Sequence, residues 1–203
     1  MKNLNLFGRL TQTFDNLREY ERIAGFWQIA RRALANNAFD GVLTMVGVVM
    51  GQWVGGVENP NTVILTGMAT SISIGVSGLW GAYLAESAER GRELAELEKI
   101  SLTDLGGTKI GRASRVAVVV VSLVDGISPL ISSLIVLTPF FVASFIGGIV
   151  FSYWVAMGLA LISLFGLGMF LGHISRRSLI GYGIRTAIAG VVAIVITTLL
   201  PTN

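Results

Sequence analysis

Five stretches of this chain are long and apolar enough to cross a bilayer, and that requirement leaves few folds open. They lie near 33 to 57, 62 to 85, 116 to 137, 146 to 172 and 182 to 200. A run of about 20 predominantly apolar residues spans a hydrocarbon core of about 30 Å. Backbone amides in lipid must find partners within the protein, so each run is read as a helix. The composition agrees, with 53% hydrophobic and 13% charged residues among 203. The expected fold is an all-α membrane protein of five transmembrane helices in a single domain.

The charges set an orientation. All fifteen Lys and Arg residues fall between Lys2 and Arg32, between Arg90 and Arg115, or between Arg176 and Arg185. The turns joining spans 1 to 2 and 3 to 4 carry none, so the positive-inside rule puts the N-terminus in the cytoplasm and the C-terminus outside. Topology thus accounts for the basic excess, and no nucleic-acid partner is implied. Residues 1–32 carry Phe7, Leu10, Phe14, Leu17, Ala24 and Trp27 at helical spacing among charges. That pattern is expected to form an amphipathic helix lying in the membrane interface, kept in the mature protein. The chain has no cysteine, which excludes disulfides, thiolate metal ligands and a cysteine nucleophile.

The two halves resemble each other. NAFDGVLT (37 to 44) answers to SLVDGISP (122 to 129), and GAYLAESAER (81 to 90) to GMFLGHISRR (168 to 177), at offsets of 85 and 87 residues. Chance similarity between apolar segments could produce such matches, but the paired Asp-Gly dipeptides favour a tandem, parallel two-span repeat with a fifth span added. Measured from Arg32 and Arg115, Asp40 and Asp125 lie eight and ten residues inside, or roughly 12 and 15 Å deep. An acid at that depth must face a partner, the bundle interior or a water-filled cavity. Such acids can bind a cation or a proton, or simply hydrogen-bond neighbouring helices. Asn37, Asp40, Thr44, Gly47, Gly51 and Gly55 follow at intervals of three and four and share one face of span 1. Gly47, Gly51 and Gly55 form a doubled GxxxG, a helix-packing motif. In span 3, Pro129 cannot donate to the carbonyl of Asp125, which leaves an oxygen free beside a carboxylate. Hard divalent cations favour such oxygen clusters.

Beyond span 2, residues 86–107 read as a cytoplasmic Glu-rich helix ending at Gly106-Gly107. Glu86, Glu89, Glu93 and Glu96 line one face of it. They could gather metal ions or form a solvated charged surface offset by Arg90, Arg92 and Lys99. His173, the single histidine, falls at the repeat position of Glu86 and is a secondary candidate, as are Thr44 and Asn37.

DGVLTMVGVVMG in span 1, followed by SGLWGAYLAESAER from the end of span 2 into a Glu-rich helix, resembles the vacuolar iron transporter family. The resemblance implies a homodimeric exchanger that moves iron(II) or manganese(II) out of the cytosol against protons. It implies no permanently bound cofactor, the metal being the cargo. The family's intramembrane aspartate carries over to Asp40, and its glutamates beyond span 2 to Glu86, Glu89, Glu93 and Glu96. In span 2 the family reads serine-methionine-alanine, any residue, then glycine-glutamate-tyrosine-leucine. Here the stretch is Ser77-Gly78-Leu79-Trp80-Gly81-Ala82-Tyr83-Leu84, so Gly78 stands for the methionine and Ala82 for the glutamate. Asp125 is the evident replacement ligand. The short connection between spans 2 and 3 lacks the three-helix metal-collecting domain of the plant members.

Two other classes were weighed. Gly75-Val76-Ser77-Gly78 matches the GxSG of intramembrane serine proteases. By the repeat, however, His173 is level with Glu86, nine residues beyond Ser77, or about 13 Å away in depth, where catalysis needs about 3 Å. No enzyme is expected. A non-transporting membrane scaffold, recruiting a partner through its charged helices, is the remaining alternative. The expected location is the cell membrane as a multi-pass protein, or a vacuolar or other internal membrane in a eukaryote.

Overall fold

The computed structural model describes residues 16–200, in which every regular element is a helix. They are α1 (16–24), α2 (Phe26–Val54), α3 (Pro60–Ser101), α4 (Lys109–Phe141), the short α5 (Ala143–Ile146), α6 (Ile149–Ile174) and α7 (Leu179–Thr198). Five of them, α2, α3, α4, α6 and α7, are long and apolar enough to cross a membrane, and the protein is a multi-pass membrane protein.

Local chemistry explains the boundaries. Gly25 adopts φ 60° and breaks the chain between α1 and α2, a conformation that glycine reaches without a Cβ clash. The Glu21 carboxylate then accepts the Trp27 amide at 2.9 Å, capping the new helix. The helix expected over residues 1–32 therefore breaks at Gly25, and α2 runs through Arg31 and Arg32. Phe7, Leu10 and Phe14 lie outside the described residues. Asn59 caps α3 by accepting the Asn61 amide, with Pro60 in the first turn. The Glu-rich helix is no separate element. It is the last part of the 42-residue α3, which at about 1.5 Å per residue is roughly 63 Å long, twice a hydrocarbon core. It ends at Ser101 rather than at Gly106-Gly107, because Leu102 turns left-handed at φ 52°. The two glycines belong to the loop before α4.

The central helix is α4, which packs along both α2 and α3 and touches α6, while α7 lies against α6. Valines and methionines of α2 (Val42, Met45, Val46, Val49) meet Val136, Leu137 and Phe140 of α4 and Tyr153 and Ala156 of α6. The Tyr153 ring sits edge-on to Trp53 at 4.7 Å and to Phe140 at 5.0 Å, and its hydroxyl donates to the Val57 carbonyl at 3.0 Å.

At two crossings of α4 a side chain has no room. A Cβ on Gly41 would strike the Pro129 carbonyl and the Ser132 hydroxyl of α4. Where α3 crosses α4, a Cβ on Gly126 would lie 2.7 Å from the Gly75 carbonyl, and one on Gly78 2.7 Å from the Asp125 carbonyl. Nearby, the Ser133 hydroxyl donates to that of Ser71 at 2.8 Å, linking α3 and α4 where both are buried. By contrast, Gly47 and Gly51 have nothing within 4 Å of a Cβ position, and Gly55 meets only carbonyls of its own helix. The doubled GxxxG is therefore not a contact within the protomer.

Gly126→Leu overpacks the α3–α4 crossing and is expected to destabilise the detergent-solubilised protein by about 1–3 kcal/mol. Gly158→Ala, where a Cβ meets open space, leaves it unchanged or gains up to about 1 kcal/mol. Thermal unfolding of the two variants beside wild type checks both.

Candidate functional site

The membrane acids are set by the crossings. Asp40 is the neighbour of Gly41 and Asp125 the neighbour of Gly126, so each Asp-Gly dipeptide places its glycine in a helix contact and its carboxylate beside it. Asp125 is half-buried, and its Oδ1 accepts the Asn37 amide of α2 at 2.8 Å. Asn37 is one turn from Asp40, and the two line a cleft of about 370 Å³ between α2 and α3, together with Ser73, Ile74, Ser77 and Gly78 of α3 and Pro129 of α4. Asp40 is exposed, and its carbonyl accepts the Thr44 hydroxyl at 2.8 Å, which turns that hydroxyl onto its own helix. The result is a polar cleft in an otherwise apolar wall, with one carboxylate on its lining and a second tied to it through an amide.

The Asp125 carbonyl, which loses its helical donor at Pro129, lies against Gly78 of α3. A methionine at position 78 would have no room, since even its Cβ would sit 2.7 Å from that oxygen. The same contacts give the GxSG stretch its explanation: Gly75 and Gly78 are crossing residues. Ser77 lines the acidic cleft, whereas His173 lines a separate cleft with Arg31, Arg176 and Arg177, so the two share no pocket.

The four glutamates beyond span 2 are paired along their own helix. Arg90 contacts Glu86 at 3.5 Å and Glu93 at 3.3 Å, and Arg92 contacts Glu89 at 2.6 Å and Glu96 at 3.8 Å. The hydrogen bond to Glu89, then the charges of Glu89 and Glu96, hold the Arg92 guanidinium above its ordinary value. Glu86, with a side chain 21% exposed, is the most buried of the four. Among the described residues no three acidic or histidine side chains converge where they could hold a metal ion. The structure thus joins Asn37 to Asp125, puts Asn37 and Asp40 in one cleft, and leaves Glu86, Glu89, Glu93, Glu96 and His173 outside it.

Sequence reasoning missed Ser73. The signal was present: Thr66, Thr70, Ser73 and Ser77 recur at intervals of four, three and four, a polar stripe on one face of an apolar helix.

Fold and site together define a multi-pass membrane protein with an acid-lined cleft between its helices. The chain is also similar to known proteins: the model of the VIT family matches residues 32–104, which include Asp40, the cleft residues of α3 and the paired glutamates. Uncharacterized protein MJ0645 of Methanocaldococcus jannaschii is 33% identical over 168 residues, 81% of this chain and 84% of the relative. The chain belongs to the VIT family. No solved structure matches it.

Asn37→Ala, Asp125→Ala and the double variant form a cycle that isolates the interhelical hydrogen bond. Its coupling in bicelles or micelles is expected between about 0.6 and 1.7 kcal/mol, and a zero coupling would remove the Asn37–Asp125 contact from the site.

Proposed function

We propose that the protein exports a divalent metal cation, iron(II) or manganese(II), from the cytosol in exchange for protons. One observation carries this reading: in a VIT-family chain, the cleft between α2 and α3 gathers Asn37, Asp40, Ser73 and Ser77 at a membrane depth where a carboxylate without a task is costly. Asp40 and, through Asn37, Asp125 bind cation and proton alternately. Glu86 receives the ion at the cytoplasmic end, and the remaining glutamates hand it on as their arginine partners exchange. The basic end of the bundle faces the cytoplasm, in keeping with the positive-inside rule.

The working unit is a homodimer. Gly47 and Gly51, uncovered within the protomer, offer the close approach that a second copy of α2 needs. Since the chain has no cysteine, Gly51→Cys gives a single thiol. It is expected to form a disulfide-linked dimer under mild oxidation in the membrane, while Ser144→Cys, at an exposed position of α5, gives monomer.

Proteoliposome uptake of ferrous iron, manganese, cobalt, zinc and calcium under a pH gradient tests transport directly. Wild type should carry iron or manganese, and Asp40→Asn and Asp125→Asn should each lower the flux about 10- to 100-fold. Flux of no cation, or flux indifferent to both substitutions, rejects the mechanism in favour of the scaffold reading. The ladder of ion pairs on the long α3 extension would then be the partner-binding surface.

A further inference from the structure

The turn between α6 and α7 closes a second cleft, of about 510 Å³, that the transport reading does not use. It is lined by Arg31 of α2, Gly172 and His173 at the end of α6, and Arg176, Arg177 and Leu179 around the turn. Arg31 and Arg176 are 145 positions apart in sequence, yet both open onto this one space. Every charged residue of the lining is basic, and none of the three arginines forms a salt bridge among the described residues. Orienting a membrane protein requires basic residues on one side of the bilayer, but does not require them to converge. Three like charges around one cavity repel one another and raise the local affinity for an anion.

The turn holds its arginines firmly. Arg176 sits in the left-handed region at φ 51°, unusual for a residue other than glycine or asparagine. Its amide donates to the His173 carbonyl at 3.2 Å, and the Arg177 amide to the Gly172 carbonyl at 2.9 Å. α7 begins two residues later, its Gly181 amide capped by the Ser178 hydroxyl at 3.2 Å, and the positive end of its dipole adds potential to the same end. α7, whose first residue Leu179 lines the cleft, leads away from it as an apolar helix. Ile180, Ile184 and Ile188 are 64%, 49% and 54% exposed and form one stripe along α7 at intervals of four, while the exposed Trp27 lies one turn from Arg31 on α2. Tryptophan at that level is characteristic of the headgroup region.

An arginine-lined cleft at the end of an apolar, membrane-crossing helix suits the headgroup phosphate of a lipid whose acyl chains lie along that helix. We propose that this cleft binds the headgroup phosphate of an anionic phospholipid through Arg31, Arg176 and Arg177, with the acyl chains along Ile180, Ile184 and Ile188. Basic pockets between membrane helices serve anionic headgroups in this way. The proposal stands whether or not the acidic cleft transports.

The test uses delipidated full-length protein in detergent, offered phosphatidylglycerol, phosphatidylcholine or inorganic phosphate, with bound ligand read by native mass spectrometry. Phosphatidylglycerol should be retained over phosphatidylcholine by about tenfold or more, and Arg31→Gln/Arg176→Gln/Arg177→Gln should abolish the preference. The charge-matched control Arg92→Gln/Lys99→Gln/Arg112→Gln should keep it, as should the charge-retaining Arg31→Lys/Arg176→Lys/Arg177→Lys. Should the triple glutamine variant fail to fold, Arg31→Gln alone, at an exposed position, should weaken retention about fivefold. Equal retention of the two lipids, loss in the control as in the triple variant, or displacement of the lipid by equimolar inorganic phosphate would each overturn the proposal.

Discussion

The interaction on which the rest of the structure depends is backbone-to-backbone contact between α4 and its two neighbours. At Gly41 the α2 backbone meets Pro129, and at Gly75, Gly78 and Gly126 the α3 and α4 backbones meet each other. In lipid no hydrophobic force drives helices together, so close van der Waals packing and buried hydrogen bonds must do it. Glycine allows the first by removing the side chain, and the Ser71–Ser133 pair supplies the second. Because the backbones can approach this closely only where these residues stand, register and crossing point follow together.

That constraint also builds the polar site. A residue adjacent to a crossing glycine is held at the edge of the helix contact, neither in its centre nor fully against lipid. Asp40 and Asp125 occupy such positions, which lets each be near other polar groups while its neighbour packs. The energetic reason is local: an acid in hydrocarbon requires a partner, and the crossing supplies Asn37 to Asp125 at 2.8 Å. Asp40 has instead an open cleft. The same residue pattern thus yields two environments, one satisfied inside the protomer and one turned outward beside Gly47 and Gly51.

The five spans were legible in the sequence because length and apolarity are properties of single segments, and the family was legible because its motifs are contiguous. Helix ends were less so. Gly25, not the Arg31-Arg32 pair, separates α1 from α2, since basic residues continue a helix readily and only a left-handed residue stops it. Gly106-Gly107 attracted the end of α3, but the chain had already turned at Leu102. The pairing of Asn37 with Asp125 was out of reach, because spacing relates residues on one helix and says nothing about which helix lies opposite. For the same reason spacing could not name the partner of the doubled GxxxG, whose Gly47 and Gly51 stay uncovered within the protomer, while Gly41, isolated in sequence, carries the contact with α4. The four glutamates are divided by two arginines into two pairs, which spacing alone did not show.

The departure at position 78 has a physical meaning that bears on selectivity. A glycine there is a requirement of the α3–α4 crossing, since the Asp125 carbonyl occupies the space that a side chain would need. A methionine at this position would have to separate two helices. The groups that line the cleft are then oxygen donors alone among its polar side chains: an amide, a carboxylate and two hydroxyls. Thiolate and thioether ligands favour softer metals, whereas carboxylate, carbonyl and water suit manganese, magnesium and calcium. If the cleft carries a cation, discrimination must therefore come from charge, size and dehydration rather than from softness.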